Sequence, residues 1–418
     1  MSDVFDEPKV PKLRFPEFDG DWVRVPLNMA LREKKSRNRD GRFSKSDVLS
    51  VSGEVGVVNQ IAHMGRSYAG VSVSDYHIVE NGDVVYTKSP LKNNPFGIIK
   101  TNHGPPGIVS TLYAVYEVRE EHDPGFWGRF FELDDRTNHY LMPLVHKGAK
   151  NDMKINNARV LIDPVVHPQL SEQQKIASFF NDLDARTHFL GRRLDALMNY
   201  KGCLIQRIFS RELRFTRDDG TSFPRWEEKQ IGDMGISFGG LTGKSADDFG
   251  DGLPFVTYRQ VFGASSIKLE ECEFVRIDKH ERQNQLRYGD ILLTTSSETP
   301  AEVGFASVVL DHPDQLFLNS FCFVLRPHSV DDLNPNFARY LFRSPGYRQL
   351  VYPLAQGSTR YNLSKSSFLK LRLSIPHPDE QRKIADLLLA LDDKIDGVTK
   401  QIGAMQSFKK GLLQQMFV

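Results

Sequence analysis

Several short motifs in this chain resemble catalytic or nucleotide-binding sites, but each lacks a residue that its chemistry needs. GLTGKS at residues 240–245 resembles a phosphate-binding loop, yet the first glycine would have to stand where the chain has Phe238. NPF at residues 94–96 resembles the aminomethyltransferase motif but lacks its second proline. The twelve histidines form no HExxH or comparable ligand pair, and DMK at 152–154 and DK at 278–279 make no metal-nuclease constellation. The sequence therefore predicts no catalytic residue, no metal ligand and no bound cofactor.

The most concentrated charge is a basic run between Arg32 and Lys45, where seven basic residues stand against Glu33 and Asp40. A solvated, mobile loop is one interpretation of such a run, and contact with a phosphate backbone is the other. The net charge of +1 does not distinguish them, because a free-standing nucleic-acid binder usually has a basic excess over its whole domain. Charge alone leaves both interpretations open.

Composition favours two folded domains in a reducing compartment. Apolar residues make up 40% of the chain, which is enough for two cores. Cys203, Cys272 and Cys322 are isolated, so neither a disulfide framework nor a zinc site is predicted. The acidic N-terminal segment lacks an apolar core, and no stretch approaches the roughly 18 apolar residues that cross a membrane. We therefore expect a cytoplasmic protein.

The stretch from Ser171 to Phe209 has apolar residues at alternating spacings of four and three, which is typical of a coiled-coil helix. Ser171 and Gln174 have the spacing of a capping box, so the helix is predicted to begin there. Thr187 and Lys201 interrupt an otherwise apolar seam. The apolar seam residues are Ile176, Phe180, Leu183, Leu190, Leu194, Leu197, Leu204 and Ile208.

The same pattern returns near the C-terminus, where residues 380–417 align with residues 172–209 without a gap, at an offset of 208. Asp379 is predicted to cap this second helix, since Pro376 and Pro378 exclude an earlier start. An offset of half the chain length indicates a tandem duplication. The apolar seam residues here are Ile384, Leu388, Leu391, Ile395, Val398, Ile402, Met405, Leu412 and Met416.

Shorter matches agree with a duplication. LRF at residues 13–15 returns at residues 213–215, and GDVVYT from Gly82 returns as GDILLT from Gly289. Each half is therefore predicted to be a variable body followed by one long helix. The predicted boundaries are 1–166 for the first body, 167–210 for the first helix, 211–376 for the second body and 377–418 for the second helix.

Each body is predicted to be mostly β, because apolar or alternating runs recur between Gly, Asn and Pro. Helices are expected in addition around residues 127–144 and 335–352. The predicted strands are VLSVSG from Val48, DVVYTKS from Asp83, GIIKT from Gly97 and TLYAVYEV from Thr111 in the first body, and LPFVTY from Leu253, GDILLTTS from Gly289, GFASVVL from Gly304 and SFCFVLRP from Ser320 in the second.

This duplicated plan resembles the specificity subunit of type I restriction-modification systems over nearly the whole chain. The resemblance is carried by LRFPEF and DGDW at the start, by PQLSEQQKIASFFNDLD and HPDEQRKIADLLLALDDKI where the helices open, and by the QRIFS and QQMF endings. GGLTGKSADDFGDGLPFVTY is similar to a recurrent opening of the family's recognition domains. The resemblance implies an α+β fold with two mostly-β target-recognition domains in tandem. Two long helices would separate them and form an intrachain antiparallel coiled coil with pseudo-two-fold symmetry.

The same resemblance implies a non-catalytic subunit that binds double-stranded DNA, with one recognition domain for each half of a bipartite site. Two DNA adenine methyltransferase subunits, together with restriction or translocase subunits, would dock on the coiled coil. S-adenosylmethionine, ATP and Mg²⁺ would belong to those partners, and no membrane would be involved. A 38-residue helix, about 57 Å long, would span the roughly 34 Å between half-sites on one face of the duplex.

In this interpretation the polar and basic loops of the two bodies contact DNA. The candidate residues of the first body are Lys34, Lys35, Arg37, Arg39, Arg42, Lys45, Lys88 and Lys92. The candidate residues of the second body are Thr242, Lys244, Tyr258, Arg259 and Arg360.

The direction of the helices follows from the seam lysines. A parallel, in-register pair would place Lys201 opposite Lys409 with no partner to offset the repulsion. An antiparallel pair instead brings Lys201 near Asp392 and Lys409 near Asp184, so that each ammonium group reaches a carboxylate. The sequence therefore predicts two equivalent Lys–Asp contacts.

Two other classes of protein remain as alternatives. A non-catalytic coiled-coil scaffold with no part in DNA modification would explain the helical seams but not two large, different bodies. An enzyme with an unrecognised site would have to carry that site twice, because the chain is duplicated.

Overall fold

The computed structural model describes residues 10–89, 94–145 and 155–418. Packing divides the chain into two compact units. Unit 1 comprises Met1–Gly191 and Lys400–Val418, and unit 2 comprises Arg192–Thr399. Each unit therefore contains one body together with part of each long helix.

Unit 1 consists mainly of short strands with a few short helices. Its strands are β1 Val23–Pro26, β2 Leu31–Glu33, β3 Leu49–Ser52, β4 Gly56–Asn59, β5 His77–Val79, β6 Val84–Thr87, β7 Ile98–Thr101, β8 Gly107–Val109, β9 Tyr113–Val118 and β10 Pro164–His167. Its helices are α1 Gln60–Met64, α2 Pro124–Phe130 and α3 Asp134–Leu141, after which the long helix α4, Leu170–Phe209, begins.

The central sheet of unit 1 is antiparallel, with the strand order β2-β9-β6-β7. Alternate residues of β6 face opposite sides, so Tyr86 joins a core with Phe126 and Phe180 while Val85 joins a second cluster with Val109. The strand is buried on both faces, which is why it reads as a continuous apolar run. The pairs β1-β10, β3-β4 and β5-β8 accompany this sheet.

Unit 2 repeats this plan. Its strands are β11 Glu227–Gln230, β12 Gly235–Gly239, β13 Phe249–Val256, β14 Glu273–Val275, β15 Ile291–Thr294, β16 Ser296–Ser297, β17 Ala306–Val308, β18 Phe317–Leu318, β19 Cys322–Pro327, β20 Ala355–Gln356, β21 Tyr361–Leu363 and β22 Arg372–Ile375. Its helices are α5 Ile231–Met234, α6 Tyr258–Gly263, α7 Pro335–Leu341, α8 Pro345–Val351 and α9 Lys365–Leu369, and the long helix α10 is Pro378–Gln415. The order β12-β19-β15-β17 reproduces the central sheet of unit 1.

Two buried aspartates mark the equivalence of the central sheets. Asp83 and Asp290 stand one residue before β6 and β15, and both carboxylates are buried. Lys34 pairs with Asp83 at 2.7 Å, and Arg326 pairs with Asp290 at 2.7 Å. The equivalent aspartate is thus paired with Lys34, just after β2, in one unit and with Arg326, on β19, in the other.

Every predicted strand overlaps an observed strand, but the two predicted body helices are each broken in two. The pattern at 127–144 divides into α2 and α3, and the pattern at 335–352 divides into α7 and α8. In the second case Ser344 caps α8 by accepting from the Tyr347 amide, and Pro345 takes the first helical position, so α7 cannot continue. Very short strands such as β16 and β18 were not predicted, because two residues give no periodicity.

The predicted caps of both long helices are wrong by two residues. α4 begins at Leu170, so Gln169 and not Ser171 precedes the helix, and the Gln169 carbonyl accepts from the Gln173 amide. α10 begins at Pro378, because proline fits the first helical position. His377 therefore precedes this helix, and its Nδ1 accepts from the Asp379 amide at 3.2 Å.

A buried glutamate near the start of each long helix ties that helix to its body. Glu172, 1% exposed, accepts two hydrogen bonds from Arg14 at 2.8 and 2.7 Å and one from the Trp22 indole at 3.3 Å. In unit 2, Glu380 accepts two from Arg214, both 2.8 Å, and one from the Trp226 indole at 3.2 Å. The repeated LRF and Trp segments are therefore explained by these two carboxylates.

The glutamine that follows each glutamate holds a short helix of the body. The side chain of Gln173 accepts from the Asp123 amide and donates to the Pro168 carbonyl. Gln381 accepts in the same way from the amide of Asn334. Asp123 and Asn334 are the N-caps of α2 and α7, so each glutamine bonds the residue that begins a body helix.

The segment before each Arg–Glu pair also ends a long helix in an equivalent way. The Leu213 amide donates to the Arg207 carbonyl at 2.9 Å, at the end of α4. The Leu13 amide donates to the Gln415 carbonyl at 3.0 Å, at the end of α10. Leu213 follows Leu13 by 200 residues, and Gln415 follows Arg207 by 208, which are the offsets of the two repeated segments.

The predicted antiparallel pairing of the long helices is confirmed inside each unit. In unit 1 the Lys409 ammonium lies 2.6 Å from the Asp184 carboxylate, which joins the beginning of α4 to the end of α10. In unit 2 Lys201 bonds Asp392, which joins the end of α4 to the beginning of α10. The seam positions of both helices are buried or half-buried throughout.

We expect the Lys409–Asp184 contact to contribute about 0.5–1 kcal/mol to the stability of unit 1, since it is partly shielded from solvent. A double-mutant cycle with Lys409→Ala and Asp184→Ala, followed by chemical unfolding, measures this coupling. The exposed Lys175–Glu17 pair is the control and should give no measurable coupling. Equal coupling in both cycles would contradict a directing role for the seam lysines.

Candidate nucleic-acid interface

Lys35, Arg37 and Arg39, here called the basic strip, follow directly on β2 in unit 1. The backbone remains extended, because the Asn38 amide donates to the Tyr76 carbonyl at 3.0 Å. Alternate residues of an extended segment point to opposite sides. Lys35 and Arg37 therefore share one side, and Arg39 stands in the turn that follows.

The basic strip lines an open cleft of about 540 Å³. Lys35 and Arg39 are exposed and have no ion-pair partner among the described residues, and Arg37 donates to the Asp75 carbonyl at 2.5 Å. The lining residues are Glu33, Lys35, Arg37, Arg39, His77, Thr111 and Asn157. Glu33 is the acidic residue among them, so the lining has an excess of positive charge.

The less exposed side chains of the cleft are neutral or acidic. His77 is 5% exposed, and burial lowers its pKa to about 4, with Arg37 and Lys88 acting in the same direction. The imidazole is therefore uncharged near neutral pH. Glu33 Oε1 accepts a hydrogen bond of 2.7 Å from Asn157 Nδ2, which fixes both side chains. Lys88 lies close enough to His77 to add positive charge to the cleft, although burial lowers the pKa of Lys88 itself.

The low pKa of His77 makes unit 1 less stable in acid. An unfolded histidine titrates near 6.5, so the unfolded chain binds this proton before the folded chain does. The stability that the neutral imidazole contributes is present above about pH 6.5 and falls as the pH drops toward about 4. We expect His77→Asn to reduce the pH dependence of unfolding by about one proton in this range. The exposed His63→Asn variant is the control, and equal slopes for both variants would contradict the assignment.

The other predicted basic residues of unit 1 lie apart from the basic strip or are already paired. Lys34 is bonded to the buried Asp83, and Arg42 lies over Phe43 and pairs with Glu80 at 2.8 Å. Lys45 is exposed in a short 3-10 turn. Lys92 lies outside the described residues. The structure thus brings Lys35, Arg37, Arg39 and Lys88 into one region of the surface.

The loop after β12 in unit 2 is held by a polar network. Gln283 accepts from the Thr242 amide at 3.1 Å and donates to its carbonyl at 2.8 Å. Lys244 pairs with Glu281 at 2.6 Å and keeps only 6% of its side chain exposed. The lysine of the phosphate-loop-like motif is therefore engaged within the protein, and its contact with DNA stays a prediction.

Strand pairing identifies the unit 2 counterparts of the basic strip. Leu31 pairs with the sixth residue of β9, and Gly235 pairs with the sixth residue of β19. Counting onward from these two positions places Gly239, Leu241 and Gly243 where unit 1 has the basic strip. The three equivalent backbone positions therefore carry three basic side chains in unit 1 and no charged side chain in unit 2.

The remaining predicted residues of unit 2 lie on two elements. Tyr258 and Arg259 begin α6, where Arg259 is exposed and Tyr258 stacks on Phe262. Arg360 is exposed at the β20–β21 turn, where its guanidinium lies 5.9 Å from the Phe321 ring. Gly357 in this turn has φ +139, and a side chain there would meet the Arg360 carbonyl at 2.0 Å. The turn that carries Arg360 is thus tightly fixed.

Sequence reasoning missed the residues that complete the cleft. Glu33 was seen only as an exception in a basic run, while His77, Thr111 and Asn157 come from segments with no motif. The Arg–Glu–Trp contacts at the starts of the two long helices are here called the clamps. The sequence carried a signal for them, because Glu172 and Glu380 occupy the same repeat position.

Residues 225–404 match the family model described as the type I restriction modification DNA specificity domain. The match covers most of the body of unit 2 and extends into α10. Unit 1 repeats the same sheet and the same clamp. This part of the chain is similar to a type I DNA specificity domain. The predicted resemblance to that family and the predicted fold class are confirmed.

Curated relatives of this family align with part of the chain. The MjaIX specificity subunit of Methanocaldococcus jannaschii is 26% identical over 218 residues, which are 50% of this chain and 48% of that protein. The MjaVIII specificity subunit of the same organism is 21% identical over 59% of each chain. The StySPI specificity subunit of Salmonella potsdam is 25% identical over 38% of this chain and 34% of that protein. The chain spans about half to three fifths of the length of the first two relatives.

Solved structures share the fold of this chain over nearly its full length. One, from work on assembly and conformational transition of the type I R-M system, has a TM-score of 0.56 at 18% identity, covering 94% of this chain and 96% of that chain. The S subunit from M. genitalium has a TM-score of 0.54 at 13% identity, covering 98% and 99%.

Neither a metal-binding cluster nor a membrane-spanning helix is found among the described residues. Among residues 10–89, 94–145 and 155–418, no group of histidine, cysteine, aspartate or glutamate side chains could hold a metal ion. Within the same ranges, no helix is long and apolar enough to cross a membrane. The specificity-subunit family is one of DNA recognition and not of catalysis.

Proposed function

We propose that this chain is the sequence-specific DNA-binding subunit of a type I restriction-modification complex, and that each unit reads one half of a bipartite site. The observation that carries the proposal is the repeated scaffold with different surfaces. Both units have the same central sheet and the same Arg–Glu–Trp clamp, yet the basic strip of unit 1 has two glycines and a leucine as its counterpart. Two domains that recognise different half-sites are expected to share a fold and to differ in the surface that contacts DNA.

The two long helices would dock the other subunits of the complex. Several large apolar side chains on them remain exposed, which is typical of surfaces that bind another protein. These side chains are Phe189, Met198, Tyr200 and Phe408. We propose DNA adenine methyltransferase subunits, and restriction or translocase subunits, as the partners. S-adenosylmethionine, ATP and Mg²⁺ would be bound by those partners, in the cytoplasm.

Exchange of one body tests this function directly. Residues 1–166 are replaced with the first body of another family member, and the chimaera is produced in a host with the methyltransferase. Because each body would act independently, only one half of the methylated sequence should change when single-molecule sequencing maps the modified adenines. The chimaera with residues 211–376 exchanged is the matched control and should change the other half. A change in both halves after either exchange, or no methylation with the wild-type chain, would contradict the proposal.

A further inference from the structure

We propose that Glu33 and Asn157 determine specificity in unit 1 by reading a base with an exocyclic amino group, while the basic strip contacts the adjoining phosphates. This inference rests on the proposed function and adds to it the chemical class of one base and the residues that select it. It concerns the cleft that the basic strip lines.

Burial separates the cleft into an edge and a floor. Lys35, Arg39 and Thr111 are exposed and form the edge, whereas Glu33 and Asn157 are half-buried and His77 is buried. Phosphates lie on the outside of the duplex and base edges lie within its grooves. The basic edge therefore fits the backbone, and the floor fits a base edge.

The floor presents hydrogen-bond acceptors. Asn157 uses one N–H of its Nδ2 to bond Glu33 Oε1, which leaves Glu33 Oε2 and Asn157 Oδ1 as acceptors without a hydrogen-bond partner among the described residues. In the major groove the amino groups of cytosine N4 and adenine N6 are donors, whereas guanine O6 and thymine O4 are acceptors. Acceptors on the protein therefore favour cytosine or adenine at this position and disfavour guanine or thymine.

The fixed geometry of Glu33 and Asn157 favours discrimination between bases over general attraction to DNA. The Asn157 amide holds the Glu33 carboxylate in one orientation, and the buried, neutral His77 adds no competing charge. Cations at the edge offset the repulsion between the Glu33 carboxylate and the phosphates. A mobile carboxylate without these neighbours would repel DNA of every sequence alike.

Unit 2 offers no counterpart of this arrangement. The strand pairing that aligns the basic strip with Gly239, Leu241 and Gly243 aligns Glu33 with Ser237. The Ser237 carbonyl accepts from Lys365, so a different set of side chains surrounds this position. At these equivalent positions the two units therefore present different chemistry to their half-sites.

Two sets of variants separate the floor from the edge, using the full chain copurified with its methyltransferase and duplexes that carry its methylated sequence. Glu33→Gln replaces an acceptor-only carboxylate by an amide that also donates. We expect discrimination at one base position in the half-site of unit 1 to fall roughly 10- to 100-fold, with no change at any position of the other half-site. Lys35→Gln with Arg39→Gln should weaken binding to all sequences by one common factor and reduce the salt slope by about two.

Glu54→Gln, at an exposed position of the same unit, removes the same charge and should change neither quantity. Asn157→Ala releases Glu33 without altering charge and should loosen the same base position, so it answers the question if Glu33→Gln fails to fold. Unchanged discrimination at every base in both floor variants would overturn this inference while leaving the proposed function intact. Absence of sequence-specific binding by the wild-type complex would instead overturn the proposed function.

Discussion

Glu172→Ala is expected to destabilise unit 1 by about 3 kcal/mol, because it removes the partner of a charge that is largely shielded from water. Arg14 keeps 16% of its side chain exposed, and the Glu172 carboxylate is its bidentate partner. The Trp22 indole N–H would lose its acceptor in the core as well. Hydrogen exchange of α2 and the central sheet under mild denaturant measures the loss, and unit 2 serves as the internal reference.

The control for this prediction is Glu17→Ala, which removes an exposed carboxylate of the same unit and should leave unfolding unchanged. Replacing both Arg14 and Glu172 by methionine should recover most of the lost stability, since neither charge is then left without a partner. If Glu172→Ala unfolded like the wild type, the clamp would have no energetic role.

Gly97→Ala is expected to cost at least roughly 3 kcal/mol, because the backbone has no room for a side chain there. Gly97 has φ +96, and an added Cβ would lie 2.0 Å from the Thr87 carbonyl oxygen and 2.8 Å from the Tyr86 ring. The β6–β7 pairing would have to open to relieve this overlap. Thermal unfolding and the exchange of the β6 amides measure the effect.

Gly41→Ala is the matched control for that variant. Gly41 also has a positive φ, +69, but nothing lies within 4 Å of a Cβ placed there. Its substitution should therefore cost only the left-handed strain of alanine, about 1 kcal/mol. Similar losses in the two variants would show that conformation, and not the close approach to Thr87, makes Gly97 necessary.

Much of the fold could be predicted from the sequence because its signals are local or repeated. The offset of 208 aligned the two long helices, and the seam lysines gave their direction. Helix ends were less predictable, since Pro378 fits the first turn as well as Asp379 fits a cap. The breaks at α2–α3 and α7–α8 depend on how each segment packs, which periodicity does not express.

The candidate site was less predictable, because it depends on which charges meet. Basic residues that are neighbours in the sequence have different partners in the folded protein. Lys34 pairs with the buried Asp83, whereas Lys35 has no ion pair among the described residues. Lys244 meets Glu281, which lies 37 residues further along the chain. Sequence composition identified where cations are abundant, but only the fold separates those that are neutralised from those that face a ligand.

The equivalent bonds Leu213–Arg207 and Leu13–Gln415 hold each repeated segment beside the end of a long helix. In unit 2 the five residues 208–212 link the end of α4 to the following segment. A link of similar length from Gln415 to Leu13 would reproduce that connection, and the chain could then be opened between Phe209 and Leu213 instead. Such a circular permutant would keep every hydrogen bond of both clamps while exchanging the order of the two bodies. If this permutant folds, the order in which the two bodies occur along the polypeptide is not a requirement of the fold.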